Sequence, residues 1–311
     1  MAEDPFRRDH AVTPGEVEHL APGLRVVTAA NASPMTFTGT RTYLVGEGRV
    51  ALVDPGPDDL GHMAALRGAL AEGETISHIF VTHSHLDHSP LAPAMAALYG
   101  APVLGFGDHA AGRSAVMQRL ARERVAIGGG EGVDVGFRPD RALSDGETVE
   151  GEGWALTAIH TPGHMSNHLC YAVEGTGALL TGDHVMGWAT TVVSPPDGDL
   201  TAFMASLRRL QGREDDAIYY PGHGAPVDAP QALIAHILDH RLQREGQIMA
   251  ILQDGAATLS QLVETIYADI DPMLHPAASR NVIAHLIDLM ERELVAAGAG
   301  PLTSTAFSRR G

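Results

Sequence analysis

Residues 82–88 read Thr-His-Ser-His-Leu-Asp-His, which places His83, His85, Asp87 and His88 in one short segment. A loop with this spacing can present four ligating side chains within a few ångströms of one another. Imidazole and carboxylate are groups that hold zinc at about 2 Å, and two adjacent ions need a shared scaffold of this kind. A solvated polar turn is the competing reading of this segment alone. Three further turns count against it: Thr161-Pro162-Gly163-His164, Leu180-Thr181-Gly182-Asp183 and Tyr220-Pro221-Gly222-His223-Gly224. Each follows an apolar run, turns on small residues and then offers one ligand-type side chain. Glycine permits the sharp backbone path that returns such a side chain over a sheet end. Two cations held side by side would carry a bridging hydroxide at neutral pH and stabilise an oxyanion, the chemistry of a hydrolase acting on a carbonyl carbon or a phosphorus. Asp87 is the expected catalytic residue, orienting the nucleophile besides binding metal. No separate general acid stands out, which favours thioesters and activated esters over amides.

The elements that must position these residues are visible as short β-branched runs bounded by Gly and Pro. The pattern predicts strands at 24–28, 42–45, 50–53, 78–82, 102–104, 155–160, 169–173, 178–180 and 217–220. Helical periodicity predicts helices at 62–71, 91–99, 200–210 and 230–253. Strands and helices in this mixture indicate an α/β protein whose sheets are covered by helices. Residues 109–146 differ, with a basic amphipathic segment at 113–124 followed by Gly128–Gly130, and read as a loop or flap at the edge of a site. After Gly255 the pattern gives helices at 259–268 and 279–297 and a β-prone tail at 303–308, a winged-helix-like unit. The expected division is a catalytic domain at 1–253 and this unit at 254–311.

Composition narrows the function. A hydrophobic content of 44% allows a sizeable core, and a formal charge of −17 gives no general help in holding a polyanion. All 21 basic residues are arginine. The stretch 256–311 has Arg280, Arg292, Arg309 and Arg310 against Glu264, Asp269, Asp271, Asp288, Glu291 and Glu293. It therefore reads as a structural or substrate-covering appendage rather than a DNA reader. The single cysteine, Cys170, excludes an internal disulfide framework and a multi-thiolate zinc site. No apolar run reaches the roughly 20 residues of a membrane span, and the acidic first residues lack a leader's pattern, so a cytoplasmic location is the default expectation.

These motifs resemble the metallo-β-lactamase superfamily over nearly the whole chain. The resemblance implies a four-layered αββα sandwich and a binuclear centre. His83, His85 and His164 would bind the first metal, Asp87, His88 and His223 the second, and Asp183 would bridge both. Asp54, in Val53-Asp54-Pro55-Gly56, would support the histidine loop without binding metal. The segments TPGHMSNHLCY (161–171), TGDHVMGWATT (181–191), HRLQREGQI (240–248) and HPAASRNVIAHLIDLMEREL (275–294) look like the beta-lactamase-like protein 2 family. That family implies a C-terminal winged-helix-like piece and includes an RNA-cleaving enzyme and fungal acyl-carrier thioesterases. The 161–171 segment is also similar to glyoxalase II, a thioesterase.

The leading expectation is thus a two-zinc hydrolase of a thioester, lactone or similar small acyl substrate; iron and manganese also suit the ligand set. An endoribonuclease using Arg113, Arg119, Arg122 and Arg124 as a local groove is the alternative, and an iron-dependent oxidoreductase is a further one. His168 reads as an inner supporting histidine and His184 as a packed one. Cys170 alternates with Leu169 and Tyr171 on a strand and reads as buried. Tyr220 reads as core or as reaching the site. His236, His240, Arg241 and Arg244 read as a structural helix face, and Gly46 and Gly48 as turn residues.

Overall fold

The computed structural model describes residues 5–123, 132–269 and 271–310. The first sheet runs in the order β1 (Val17–Ala21), β2 (Leu24–Thr28), β3 (Arg41–Val45), β4 (Arg49–Val53), β5 (Thr75–Phe80), β6 (Val103–Gly105) and β7 (Arg141–Ala142). It begins as antiparallel hairpins and turns parallel from β4 onward. Gly46 and Gly48, both in the left-handed region, make the β3–β4 turn. Helices α1 (Leu60–Gly68) and α2 (Ala92–Tyr99) supply the parallel crossovers. Helix α3 (Ala115–Arg122) lies within the connection from β6 to β7.

The second sheet contains β8 (Thr148–Glu150), β9 (Ala155–His160), β10 (Leu169–Val173), β11 (Ala178–Gly182) and β12 (Ile218–Pro221), ordered 12-11-10-9-8. Helix α4 (Leu200–Gln211) crosses between the parallel strands β11 and β12. The long helix α5 (Pro230–Asp254) follows β12.

Side-chain alternation builds four layers from these pieces. Along β4, Ala51 and Val53 enter the core between the sheets, while Val50 and Leu52 face α1 and α2 with Leu66 and Met95. Along β10, Leu169, Tyr171 and Val173 face the other sheet, and Cys170 and Ala172 pack toward α4 and α5. Both sheets are thus covered on two faces, which is why their strands read as near-continuous apolar runs.

The C-terminal unit comprises α6 (Leu259–Ile266), α7 (His275–Glu291) and a small sheet of β13 (Ala257–Thr258), β15 (Ala306–Arg309) and β14 (Val295–Ala297). The helix expected at 279–297 begins earlier and ends earlier. Pro276 is accepted in its first turn, where no amide donor is needed. At the other end Glu293 takes a left-handed conformation, and the Leu294 N–H reaches back to the Leu289 carbonyl, so the chain leaves as a strand. The segment at 113–124 is no free flap where it is described: Met117 and Leu120 of α3 are buried against α5–α7. Gly128–Gly130 and Arg124 lie outside the described residues. Among the described residues no helix is long and apolar enough to cross a membrane.

Candidate metal centre

All four loops that carry the expected ligands leave the C-terminal ends of strands: 83–88 after β5, His164 after β9, Asp183 after β11 and His223 after β12. Parallel pairing of β4 with β5 and of β11 with β12 brings these ends to one rim of the sandwich. The seven expected side chains meet there in two groups. His83, His85, His164 and Asp183 each offer an atom within 4.8 Å of the others, and Asp87, His88 and His223 do the same.

In the first group His83 Nε2 lies 2.9 Å from His85 Nδ1, and His164 Nε2 lies 3.0 Å from the same atom. Asp183 Oδ2 is 3.7 Å from His164 Nε2. In the second, Asp87 Oδ2 lies 3.3 Å from His88 Nε2 and 3.1 Å from His223 Nε2, with 3.4 Å between the two nitrogens. Asp183 also reaches this group, with Oδ1 3.5 Å from His88 Nε2 and Oδ2 3.3 Å from His223 Nε2. It therefore stands between the two groups. A tetrahedral ion with bonds of 2.0–2.1 Å spaces its ligand atoms about 3.3 Å apart, so both clusters have the size of a zinc-like site. Asp183 Oδ1 is buried without a hydrogen-bond partner, which fits a lone pair reserved for a cation.

The outer nitrogen of most of these rings is fixed by an acceptor, which turns the inner one toward the cluster where a cation could be held. His83 Nδ1–H donates to Thr82 Oγ1 at 2.9 Å, and the Thr82 hydroxyl donates to Asp54 Oδ2 at 2.8 Å. His88 Nδ1–H donates to the same Asp54 oxygen at 2.9 Å. His164 Nδ1–H donates to the Val192 carbonyl at 2.9 Å, and His223 Nδ1–H to the Gly39 carbonyl at 3.2 Å. Asp54 also takes the Thr82 N–H and holds a left-handed backbone conformation, φ 53°. Such strain at a non-glycine residue persists only where its surroundings over-determine it.

The charges divide in the same way as the distances. Burial drives His83 well below its usual range and His85 to about 3, and lowers His164 as well. Three neutral imidazoles therefore face one another, a donor set suited to a cation. Burial opposes charge on His88 and His223 too, but Asp87 and Asp183 outweigh it, joined at His88 by Asp54. They raise His88 well above its usual range and His223 to about 10. Asp87 and Asp183 are held ionised, because the attraction of those imidazolium groups exceeds the desolvation that would protonate them.

His168 lies beneath the site. It donates from Nδ1 to Thr161 Oγ1 and accepts the Asp183 N–H at Nε2, 3.2 Å away, so it braces the backbone of Asp183. His184 packs on Phe203, with ring centroids 4.7 Å apart. Cys170 is buried and its thiol is pushed up to about 12 by that burial, which leaves it unreactive. Tyr220 belongs to the core between the sheets. Thr40 was not singled out in the sequence, yet its hydroxyl donates to Asp87 Oδ2 at 3.1 Å, and Asn31 donates to Thr40 in turn. The small polar turn Thr38-Gly39-Thr40 was the available signal. The carbonyls of Gly39 and Val192 carry none, since any residue supplies a carbonyl.

An αββα sandwich with clustered histidine and carboxylate loops at one rim is an α/β scaffold suited to a metal-dependent enzyme. The model of the metallo-beta-lactamase superfamily matches residues 35–223, and that of the beta-lactamase associated winged helix domain matches residues 258–300. The chain belongs to the metallo-beta-lactamase superfamily. An atrochrysone carboxyl ACP thioesterase from Paecilomyces divaricatus is 30% identical over 277 residues, covering 85% of this chain and 79% of that protein. The protein of that name from Aspergillus terreus is 31% identical over 276 residues, covering 84% of this chain and 77% of the other. A metallo-beta-lactamase family protein from Thermus thermophilus superimposes with a TM-score of 0.75 at 27% identity, covering 94% of this chain and all 100% of its own. A beta-lactamase domain protein from Burkholderia ambifaria shares the fold, with a TM-score of 0.79 at 20% identity over 97% of this chain and 96% of its own. The expectation of a hydrolase agrees with the thioesterase names of these relatives.

Proposed function

We propose that the chain is a binuclear metal-dependent thioesterase, with His83, His85 and His164 holding one divalent cation, Asp87, His88 and His223 a second, and Asp183 shared between them. The observation that carries this reading is the paired cluster itself, two groups of inward-facing ligand atoms joined by one carboxylate. Two divalent cations held here supply Lewis acidity toward a carbonyl oxygen and acidify a water toward ~7. Zinc is the cation proposed. Asp87 is about a quarter exposed, while His88 and Asp183 beside it are buried, so its carboxylate is the one placed to meet an entering substrate. Held ionised and aligned by Thr40, it would accept a hydrogen bond from the attacking water and so orient it. A thiolate leaves without prior protonation, so the site needs no further acid.

Support for a thioester over RNA comes from the names of the relatives and from charge. Of the arginines that could line a polyanion groove, Arg113 is bound to Asp197 at 2.5 Å and Arg119 to Glu291 at 3.3 Å. We also propose a functional division at 253/254, with the C-terminal unit covering the catalytic domain. Zinc-reconstituted protein should hydrolyse a panel of acyl thioesters, with single-stranded RNA tested alongside and Asp87→Ala as the blank. Thioester turnover lost by at least ~100-fold in the blank is the expected result for removing a group that acts in the transition state. Cleavage of RNA alone, falling steeply with salt, would overturn the reading.

A further inference from the structure

The loop at 184–199, between β11 and α4, has no regular secondary structure, yet it supplies the acceptor that orients His164. Around Val192 its anchors are specific. The Thr191 hydroxyl donates to the Asp183 carbonyl at 2.6 Å, which ties the loop back to the shared carboxylate. The Thr191 carbonyl accepts from Arg241 Nη2 on α5. The Val193 N–H donates to Asn281 Oδ1 on α7 at 3.2 Å, and Arg241 Nη1 donates to that same oxygen at 2.9 Å. The Asn281 amide is turned this way round by its own Nδ2, which donates to the Ala277 carbonyl at 3.4 Å. Residues on both sides of Val192 are thus pinned by one Arg–Asn pair, half of it in the C-terminal unit.

Arg241 is 2% exposed and lies over the Phe203 ring, 5.3 Å from its centroid. Its Nη1 and Nη2 donate to neutral oxygens, its Nε is buried without a partner, and no carboxylate pairs with it among the described residues. A buried guanidinium without a counter-charge costs stability, and an apolar residue of similar volume often serves the fold as well or better. The hydrogen-bonding geometry, not the packing, is what arginine adds at this position.

We infer that Arg241 and Asn281 are positioning residues for the first metal group: they fix residues 191–193, and through the Val192 carbonyl they hold His164 with Nε2 turned inward. The C-terminal unit is then part of the metal centre's support. The second group has independent supports, since His88 rests on Asp54 and His223 on Gly39. This inference rests on the proposed two-metal reading.

The test is zinc titration of the metal-free full chain against a chromophoric chelator, for the wild type, Arg241→Met, Asn281→Leu and Asn281→Asp. Loss of a group that orients a ligand lowers metal affinity ~10–100-fold. Arg241→Met and Asn281→Leu should lose that much at one of two zinc equivalents and keep the other. Asn281→Asp, which preserves the acceptor for both donors, should titrate like the wild type. A slowly exchanging His164 Nδ1 proton, seen by NMR in the metal-free wild type, should broaden in Arg241→Met; thermal unfolding, expected at or above the wild-type midpoint, shows that this variant folds. Wild-type affinity at both equivalents in Arg241→Met and Asn281→Leu would overturn the inference and leave the two-metal reading standing. Equal loss in Asn281→Asp would overturn it too, because the acceptor would be irrelevant. A wild type whose zinc binding is unchanged by His85→Ala would remove the two-metal reading, and the inference with it.

Discussion

At the scale of single residues the centre tolerates very little added volume, and Gly222 shows this most directly. A Cβ there would lie 2.4 Å from Asp183 Oδ1 and 2.8 Å from His88 Cε1. The backbone cannot retreat, because the Gly222 N–H is bonded to the Gly182 carbonyl and its own carbonyl accepts from the Arg41 N–H. Gly222→Ala should therefore displace two of the proposed ligands at once and lower zinc affinity by ~10-fold or more, read by chelator competition. Gly246, inside α5 with open space around it, is the control: Gly246→Ala should raise stability by up to about 1 kcal/mol. Wild-type zinc affinity in Gly222→Ala would mean that the rim is softer than its contacts indicate. The seven clustered side chains were legible in the sequence because each lies in a short local motif, a strand, a small-residue turn and then a ligand type. What positions their rings was less legible. Asp54 could be read from its turn, but Thr40 and the carbonyls of Gly39 and Val192 meet the ligands only after distant segments pack together.

At the scale of elements, α7 carries a burial pattern with a consequence for pH. His285 is 3% exposed and neither ring nitrogen has a hydrogen-bond partner. Burial, aided by the positive charges of Arg241, His240, Arg244 and Arg292, lowers its pKa to about 3. Arg208, Glu245 and Asp288 line the same cavity, of about 260 Å³. Between about 6.5 and 3 the unfolded chain therefore binds a proton that the folded chain refuses. Its contribution to stability is complete above about 6.5 and declines as the pH falls toward 3. His285→Leu should flatten the stability curve in that window by about 1.4 kcal/mol per pH unit, measured by denaturant unfolding of metal-free protein. An unchanged slope would mean that water or a rotated ring satisfies the imidazole. The sequence foretold α7 from its periodicity but not its end, because Val295 continues the apolar spacing while Glu293 has already left the helix. The edge strands β1, β7, β8, β13 and β14 also escaped notice, because none carries the unbroken buried apolar run by which inner strands of the same length were read.

At the scale of the whole molecule, the αββα architecture follows from strands that are apolar on both faces, and that pattern was plain in the sequence. The association of the C-terminal unit with the rest was not, because it depends on which helix faces meet. Helix α5, 25 residues long, buries Leu233, Ile234 and Ile237 against the second sheet near its start, and Ile248 and Leu252 in the C-terminal core near its end. Helix α3 adds Met117 and Leu120 to that same core from a connection in the first sheet. The division proposed at 253/254 therefore cuts through a continuous apolar core. A chain ending at 253 would expose Met117, Leu120, Ile248 and Leu252, and each fully uncovered side chain of this kind costs roughly 1.5–3 kcal/mol of burial. With typical domains stable by about 5–15 kcal/mol, a loss of that size takes most of the margin. The truncated chain should unfold well below the full chain, bind a hydrophobic dye and aggregate. It should also lack the Asn281 acceptor for Val193, so any soluble fraction should hold zinc weakly at the first group and normally at the second. A soluble 1–253 chain with the full chain's unfolding midpoint and two tight zinc equivalents would instead show that the C-terminal unit is an attached cover, with no part in holding the fold or the metal.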